Sequence, residues 1–167
     1  MGITCFTVEE CNKREEPVDG GRYINTIFDV RRIDTGEIIA RDAHFIGGNV
    51  PVGAMWWEQY IEGFYPKSPT DHHPSTAPEY RTSNVHPSFL FSDGPCLCVL
   101  TPGGIWRIDS RASNCTMPYD YTHRCWVRHG EPPNITVDKV GVTCQAGAGS
   151  ILIGGWHGFL RNGELVT

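Results

Sequence analysis

Residues 144 to 166 read CQAGAGSILIGGWHGFLRNGELV. Two short apolar runs, Ile151 to Ile153 and Trp156 to Leu160, are separated by Gly154-Gly155, and Asn162-Gly163 then turns the chain into Leu165-Val166. Both central residues of a tight hairpin turn need positive φ, which Asn and Gly tolerate. Asn-Gly between apolar segments therefore predicts a closing β-hairpin.

The same punctuation runs back through the second half. Ser88 to Phe91, Cys96 to Thr101, Ile105 to Asp109, Arg124 to Arg128, Ile135 to Asp138 and Val142 to Cys144 are short apolar segments. Between them stand Asp93-Gly94-Pro95, Pro102-Gly103-Gly104, an irregular stretch over 111 to 121, and Glu131-Pro132-Pro133. Short, evenly spaced strands of this kind predict a mostly β fold, an antiparallel sandwich or small barrel. Upstream, Arg22 to Ile46 reads as a hairpin turned at Asp34-Thr35-Gly36. Ala54 to Ile61 (AMWWEQYI) is the candidate for one short helix, held by docking its aromatics. Residues 63 to 87 carry Pro66, Pro69, Pro74, Pro78 and Pro87 with His72, His73 and His86, a density of proline that predicts a long Pro/His-rich loop. Residues 1 to 21 mix charge with glycine and show no sustained period.

The expected organisation is one domain over 1–167: a loose N-terminal segment (1–21), a hairpin plus short helix (22–62), the loop (63–87) and a β-rich, zinc-bearing core (88–167). A chain of 167 residues is long enough to bury a single substantial core. The net charge of -5 gives no basic excess, so general nucleic-acid binding is not expected, and no apolar run approaches the length of a membrane span. The first residues show no basic and apolar leader pattern, and the cysteine count of 7 is odd, so the expected setting is a reducing cytoplasm with free or metal-bound thiols.

Thiolate and imidazole together suit zinc. The candidate ligands are Cys96, Cys98, Cys144 and His157, with Cys115 and Cys125 as competitors. Cys96 and Cys98 share a strand face about 6 to 7 Å apart, whereas sulfurs on one zinc must lie within about 4 Å, so both could ligate only across a bend. The alternative is that these cysteines are small buried hydrophobes. A second constellation is Asn114-Cys115, Asp120, His123, Cys125 and His129. A cysteine beside a histidine can be a nucleophile with its base, with Asp120 orienting the imidazole; on a strand, His123 and Cys125 would point the same way. Arg107, Arg111, Arg124 and Arg128, interleaved with Trp106, Tyr119 and Trp126, could bind a small anionic or nucleotide ligand, or pair with carboxylates on the outer face of a sheet. Gly147-Ala148-Gly149 lacks both the Gly-Lys-Ser/Thr of a phosphate loop and the third glycine of a dinucleotide loop, so no cofactor-binding loop is expected.

Residues 94 to 166 resemble a small prokaryotic and phage family of unknown function. The resemblance is carried by Cys96-Leu97-Cys98, Leu100-Thr101-Pro102, Trp106, Ser150-Ile151 and His157-Gly158-Phe159-Leu160-Arg161-Asn162-Gly163. Gly155-Trp156 stands where that family has a cysteine before the histidine. The resemblance implies a zinc-bearing β domain of phage or prokaryotic origin. The expected function is a phage-type accessory or binding protein with a protein partner, acting in the host cytoplasm. The alternatives are a metal-dependent hydrolase or cysteine-nucleophile enzyme, and a virion structural or decoration protein.

Overall fold

A computed structural model of the chain describes residues 2–58, 95–120, 122–146 and 148–167. In chain order its strands are β1 (Ile3–Thr4), β2 (Phe6–Val18), β3 (Tyr23–Arg32), β4 (Ile38–Ala43), β5 (Ala54–Glu58), β6 (Cys96–Thr101), β7 (Gly104–Arg107), β8 (Val127–His129), β9 (Thr136–Asp138), β10 (Ile151–Ile153), β11 (Trp156–Arg161) and β12 (Glu164–Val166). They form a six-stranded sheet in the order β4-β3-β2-β5-β6-β7, a four-stranded sheet β1-β12-β11-β10 and the pair β8-β9. All pairings are antiparallel except β2 with β5. The mostly β fold expected from the strand and turn pattern is therefore present.

The central strands are buried on both faces. Met55, Leu97, Val99 and Trp106 point into a core shared with Val137, Ile151, Leu160 and Leu165 from the other sheets. The residues half a pleat away, Ala54, Trp56, Cys96 and Cys98, pack on the opposite face with Val8, Phe28, Val30 and Ala43. Side chains on a strand alternate between faces, and each large apolar side chain so buried contributes about 1.5–3 kcal/mol.

The closing hairpin is formed as read: Asn162 and Gly163 have φ of 48° and 75°, and Leu160 pairs with Leu165 across the turn. The turn is tied down by Gly163 N donating to Ile135 O (2.9 Å) and Cys5 N donating to Gly163 O (2.8 Å). The hairpin expected over Arg22 to Ile46 is β3 with β4.

Three expectations differ. Ala54–Glu58 is a strand, not the start of a helix: it pairs with β2 on one side and β6 on the other, and that pairing with alternating burial outweighs local propensity. The rest of that helix and the Pro/His-rich loop lie outside the described residues. Residues 1 to 21 are not loose, because they hold β1 and the long β2. Their polarity hides the strand because, among the described residues, β2 from Val8 onward is hydrogen-bonded to β3 alone, and its register shifts between Cys11 and Arg14. Asp29 organises that bulge. Its carboxylate accepts from Asn12 Nδ2 (2.9 Å), from Asp42 N (3.2 Å) and from Arg14 Nη2 (3.3 Å). Lastly, Val142 to Cys144 is not a paired strand but meets Arg124 in a single parallel bridge at Thr143.

The two larger sheets also meet turn to turn. A β-carbon added at Gly103 would fall onto the Ile153 carbonyl oxygen, and one at Gly154 onto the Gly103 oxygen. Gly103→Ala is expected to destabilise by about 1–3 kcal/mol, as overpacking does, read as a lowered urea midpoint at unchanged slope. Hydrogen bonds from Asn12 first, then from the Asp42 amide, hold the Asp29 carboxyl below its ordinary range. That contribution is present above the unfolded-state value near 4 and is lost as pH falls through the lower folded value. Acid titration of Asp29→Asn should therefore show less pH-dependent loss of stability in this window than the wild type.

Candidate metal centre

After β7 the chain folds through consecutive tight turns. Cys115 N donates to Ala112 O (3.1 Å) and Asp120 N to Met117 O (3.1 Å). The Asp120 carboxylate then accepts from the amide and hydroxyl of Thr122, at 2.7 and 2.6 Å, an Asx-type turn that holds its pKa below the ordinary range. These turns return the chain on itself, so that Cys115 and His123 meet. Arg124 N donates to Val142 O (3.0 Å) beside the Arg124–Thr143 bridge. The next residue on each segment is a cysteine, which brings Cys125 to Cys144.

Cys115, His123, Cys125 and Cys144 present ligand atoms that all lie within 4.8 Å of one another, close enough to hold a metal ion. His123 Nε2 is 3.4 Å from Cys115 Sγ and 3.8 Å from Cys125 Sγ, and the Cys125 and Cys144 sulfurs are 3.8 Å apart. His123, Cys125 and Cys144 are buried, and Cys115 is half-buried. His123 Nδ1 donates to the Asp120 carbonyl at 2.8 Å. The proton therefore belongs on Nδ1 in the neutral ring, and the Nε2 lone pair faces the three sulfurs. A histidine ligand fixed through its far nitrogen is the usual arrangement at metal sites.

The cysteines differ in acidity. Burial pushes the Cys125 thiol up to about 12. At Cys144 burial opposes ionisation, but hydrogen bonds from the Ala146 and Thr116 amides, the Thr116 hydroxyl and Cys125 outweigh it and bring the thiol down to about 6. Lys139 Nζ donates to the Cys125 and Ala146 carbonyls (2.5 and 2.8 Å), bracing the two segments that carry Cys125 and Cys144.

The four primary candidates from the sequence do not converge. Cys144 is in the cluster, together with both competitors, Cys115 and Cys125. Cys96 and Cys98 lie in the core on the far face of β6, where alternation puts them beside Trp56. Cys98 Sγ is 3.4 Å from Glu58 Oε2, and its thiol is pushed well above the ordinary value by hydrogen bonding with Cys96, then by burial and the Glu58 charge. His157 is exposed on β11, opposite Leu152, because Gly158 and Leu160 occupy the inward positions. His123, which the sequence offers as a base and not as a ligand, joins the cluster, and the alternation His123-Arg124-Cys125 was the signal that set its ring beside a sulfur.

Of the catalytic candidates, His123 and Cys125 belong to this cluster. Asp120 orients the imidazole, but through its main-chain carbonyl rather than its carboxylate. His129 lies apart at the end of β8, paired with Asp138 at 2.8 Å. The arginines bond to protein groups: Arg107 Nε donates to Glu58 (2.9 Å), Arg128 Nε to Asp109 (2.7 Å), Arg124 Nη1 to His123 O (2.9 Å), and Arg111, which is buried, to Cys115 Sγ (3.5 Å). No helix among the described residues is long and apolar enough to cross a membrane. Compared with protein-family models, curated proteins and solved structures, the chain matches none.

The low Cys144 value gives the metal-free protein a defined pH response. Its contribution to stability is complete above the ordinary thiol value of 9.0, declines as pH falls and is gone below about 6. Cys125 works the other way, and only above 9.0, where its raised value makes the fold lose stability with rising pH. Denaturant melts of metal-free protein should thus show stability falling from pH 9 to pH 6, and Cys144→Ser should flatten that slope.

Proposed function

We propose that the chain is a phage-type accessory or binding protein whose second half is locked by one structural zinc, held by Cys115, His123, Cys125 and Cys144. The carrying observation is that four ligand atoms lie within 4.8 Å of one another and that three of the edges between them match a zinc tetrahedron. With Zn–S near 2.3 Å and Zn–N near 2.0–2.1 Å, sulfur–sulfur edges come to about 3.8 Å and sulfur–nitrogen edges to about 3.5 Å. The Cys125–Cys144 edge is 3.8 Å, and the edges from His123 Nε2 are 3.4 and 3.8 Å. Four protein ligands close the coordination sphere, which favours a structural role over a catalytic one that keeps a position for water. The accessory role and the phage-type origin rest on the resemblance of residues 94 to 166, and the partner is expected to be a protein.

One observation supports an enzyme instead. Half-buried Cys115 stands 3.4 Å from an imidazole whose far nitrogen is fixed, the arrangement of a nucleophile, a base and an orienting group. The two readings separate by metal content. Purified protein should carry one zinc per chain, and chelation should lower its melting temperature by several degrees. Cys125→Ser and Cys144→Ser should lose the metal, while Cys96→Ser and Cys98→Ser keep it. Protein without stoichiometric metal, with Cys115 alkylated far faster than its other thiols, would replace this proposal with the nucleophile reading.

A further inference from the structure

Three thiolates and one neutral imidazole around a divalent ion leave a net charge of -1, and an uncompensated charge inside a protein is costly. The buried group that meets this charge is Arg111. Its Nη1 donates to Cys115 Sγ at 3.5 Å and to Met117 O at 3.0 Å, and its Nη2 donates to Asp120 O at 3.0 Å. The Asp120 oxygen is the same one that fixes His123 through Nδ1. One planar guanidinium therefore touches a ligand sulfur, the turn between the two ligands, and the carbonyl that orients the other ligand. A fork of fixed N–H directions can make these contacts together; a single ammonium cannot. The backbone places it there, since Arg111 stands just ahead of the turn that begins at Ala112 and leads into Cys115.

We infer that Arg111 is the charge-compensating positioning residue of the metal centre, balancing the thiolate-rich ion through Cys115 and holding the Cys115–His123 turn in its ligating shape. This rests on the metal-centre reading above and assigns the residue that tunes it. Two separable effects follow. The positioning role sets affinity, because a loosened ligand turn must be ordered on binding. The charge role sets the electronic state of the bound thiolates, because a neighbouring positive charge and an N–H···S hydrogen bond stabilise the sulfur lone pairs.

The test uses the full-length protein loaded with zinc for affinity and with cobalt(II) for spectroscopy, comparing wild type, Arg111→Met and Arg111→Lys. Arg111→Met should weaken zinc binding by about 10–100-fold in chelator competition. At saturating cobalt its sulfur-to-metal charge-transfer band should move to lower energy, since the thiolate electrons are no longer stabilised. Arg111→Lys retains the charge without the fork, so its band should lie near wild type while its affinity stays reduced. This variant also keeps the test informative if Arg111→Met does not fold. An Arg111→Met protein with reduced affinity and an unmoved band would make Arg111 a scaffold alone and overturn the charge assignment. Unchanged affinity and band would overturn the inference entirely while leaving the metal centre standing. A wild-type protein that binds neither metal would overturn both.

Discussion

Leu97 and Val99 of β6 face the core shared with the four-stranded sheet, while Cys96 and Cys98, one residue out of phase, face the core shared with β3 and β4. A strand with apolar partners on both faces cannot slip by one residue without burying every side chain against the wrong neighbours. That constraint sets the register of β5 and β7 on either side of it. It also divides the cysteines: Cys96 and Cys98 of β6 lie in this second core, whereas Cys115, Cys125 and Cys144, which follow β7, meet His123. Asp109 couples the two regions, since its carboxylate accepts from the Leu97 amide (2.9 Å) and from Arg128 Nε of β8 (2.7 Å).

Between β7 and β10 the regular ladder is sparse. The β8–β9 pair has three paired positions, and an isolated two-stranded ribbon is marginal in water. The turns around Cys115 and the single bridge at Thr143 add few backbone bonds. What the region has instead is a cluster of ligand atoms drawn from three separate segments, around Cys115, around His123 and Cys125, and around Cys144. A metal ion held there would cross-link the three segments and remove loop-closure entropy from the unfolded chain. The apolar cluster next to the sulfurs is small: Ala112, Ala146, the cysteines themselves and part of Trp126.

The sequence was legible where local chemistry decides the outcome. Asn162-Gly163 specified its hairpin because few residue pairs accept positive φ twice in succession, and the apolar runs of β6, β10 and β11 appear with nearly the bounds expected. It was illegible where pairing partners decide. AMWWE carries aromatics that suit either a short helix or a strand, and its fate depends on β2 and β6 lying beside it. The polar β2 has no alternating apolar face to betray it: of its thirteen residues only Val8 is buried. The metal candidates show the same limit. Cys115, Cys125 and Cys144 were all visible as ligand types, but which of them share a face with a histidine depends on the turns at Ala112 and Met117 and on a single bridge. The shared strand face of Cys96 and Cys98, by contrast, followed from their spacing, and ligation by both required a bend in the strand.

Trp126 joins the two levels of this organisation. It packs against the main core and against the small cluster around the ligands, and its ring meets Trp106 edge to face at 5.4 Å between centroids. It directly follows Cys125, so the segment that carries this cluster sulfur continues at once into a residue packed on the core, just ahead of β8. Its indole nitrogen donates to Ser150 O (3.4 Å), at the entrance to β10. Displacing Cys125 would therefore strain an aromatic contact and the start of the closing sheet together. The Cys/His cluster is thus packed, through Trp126, directly onto the main core.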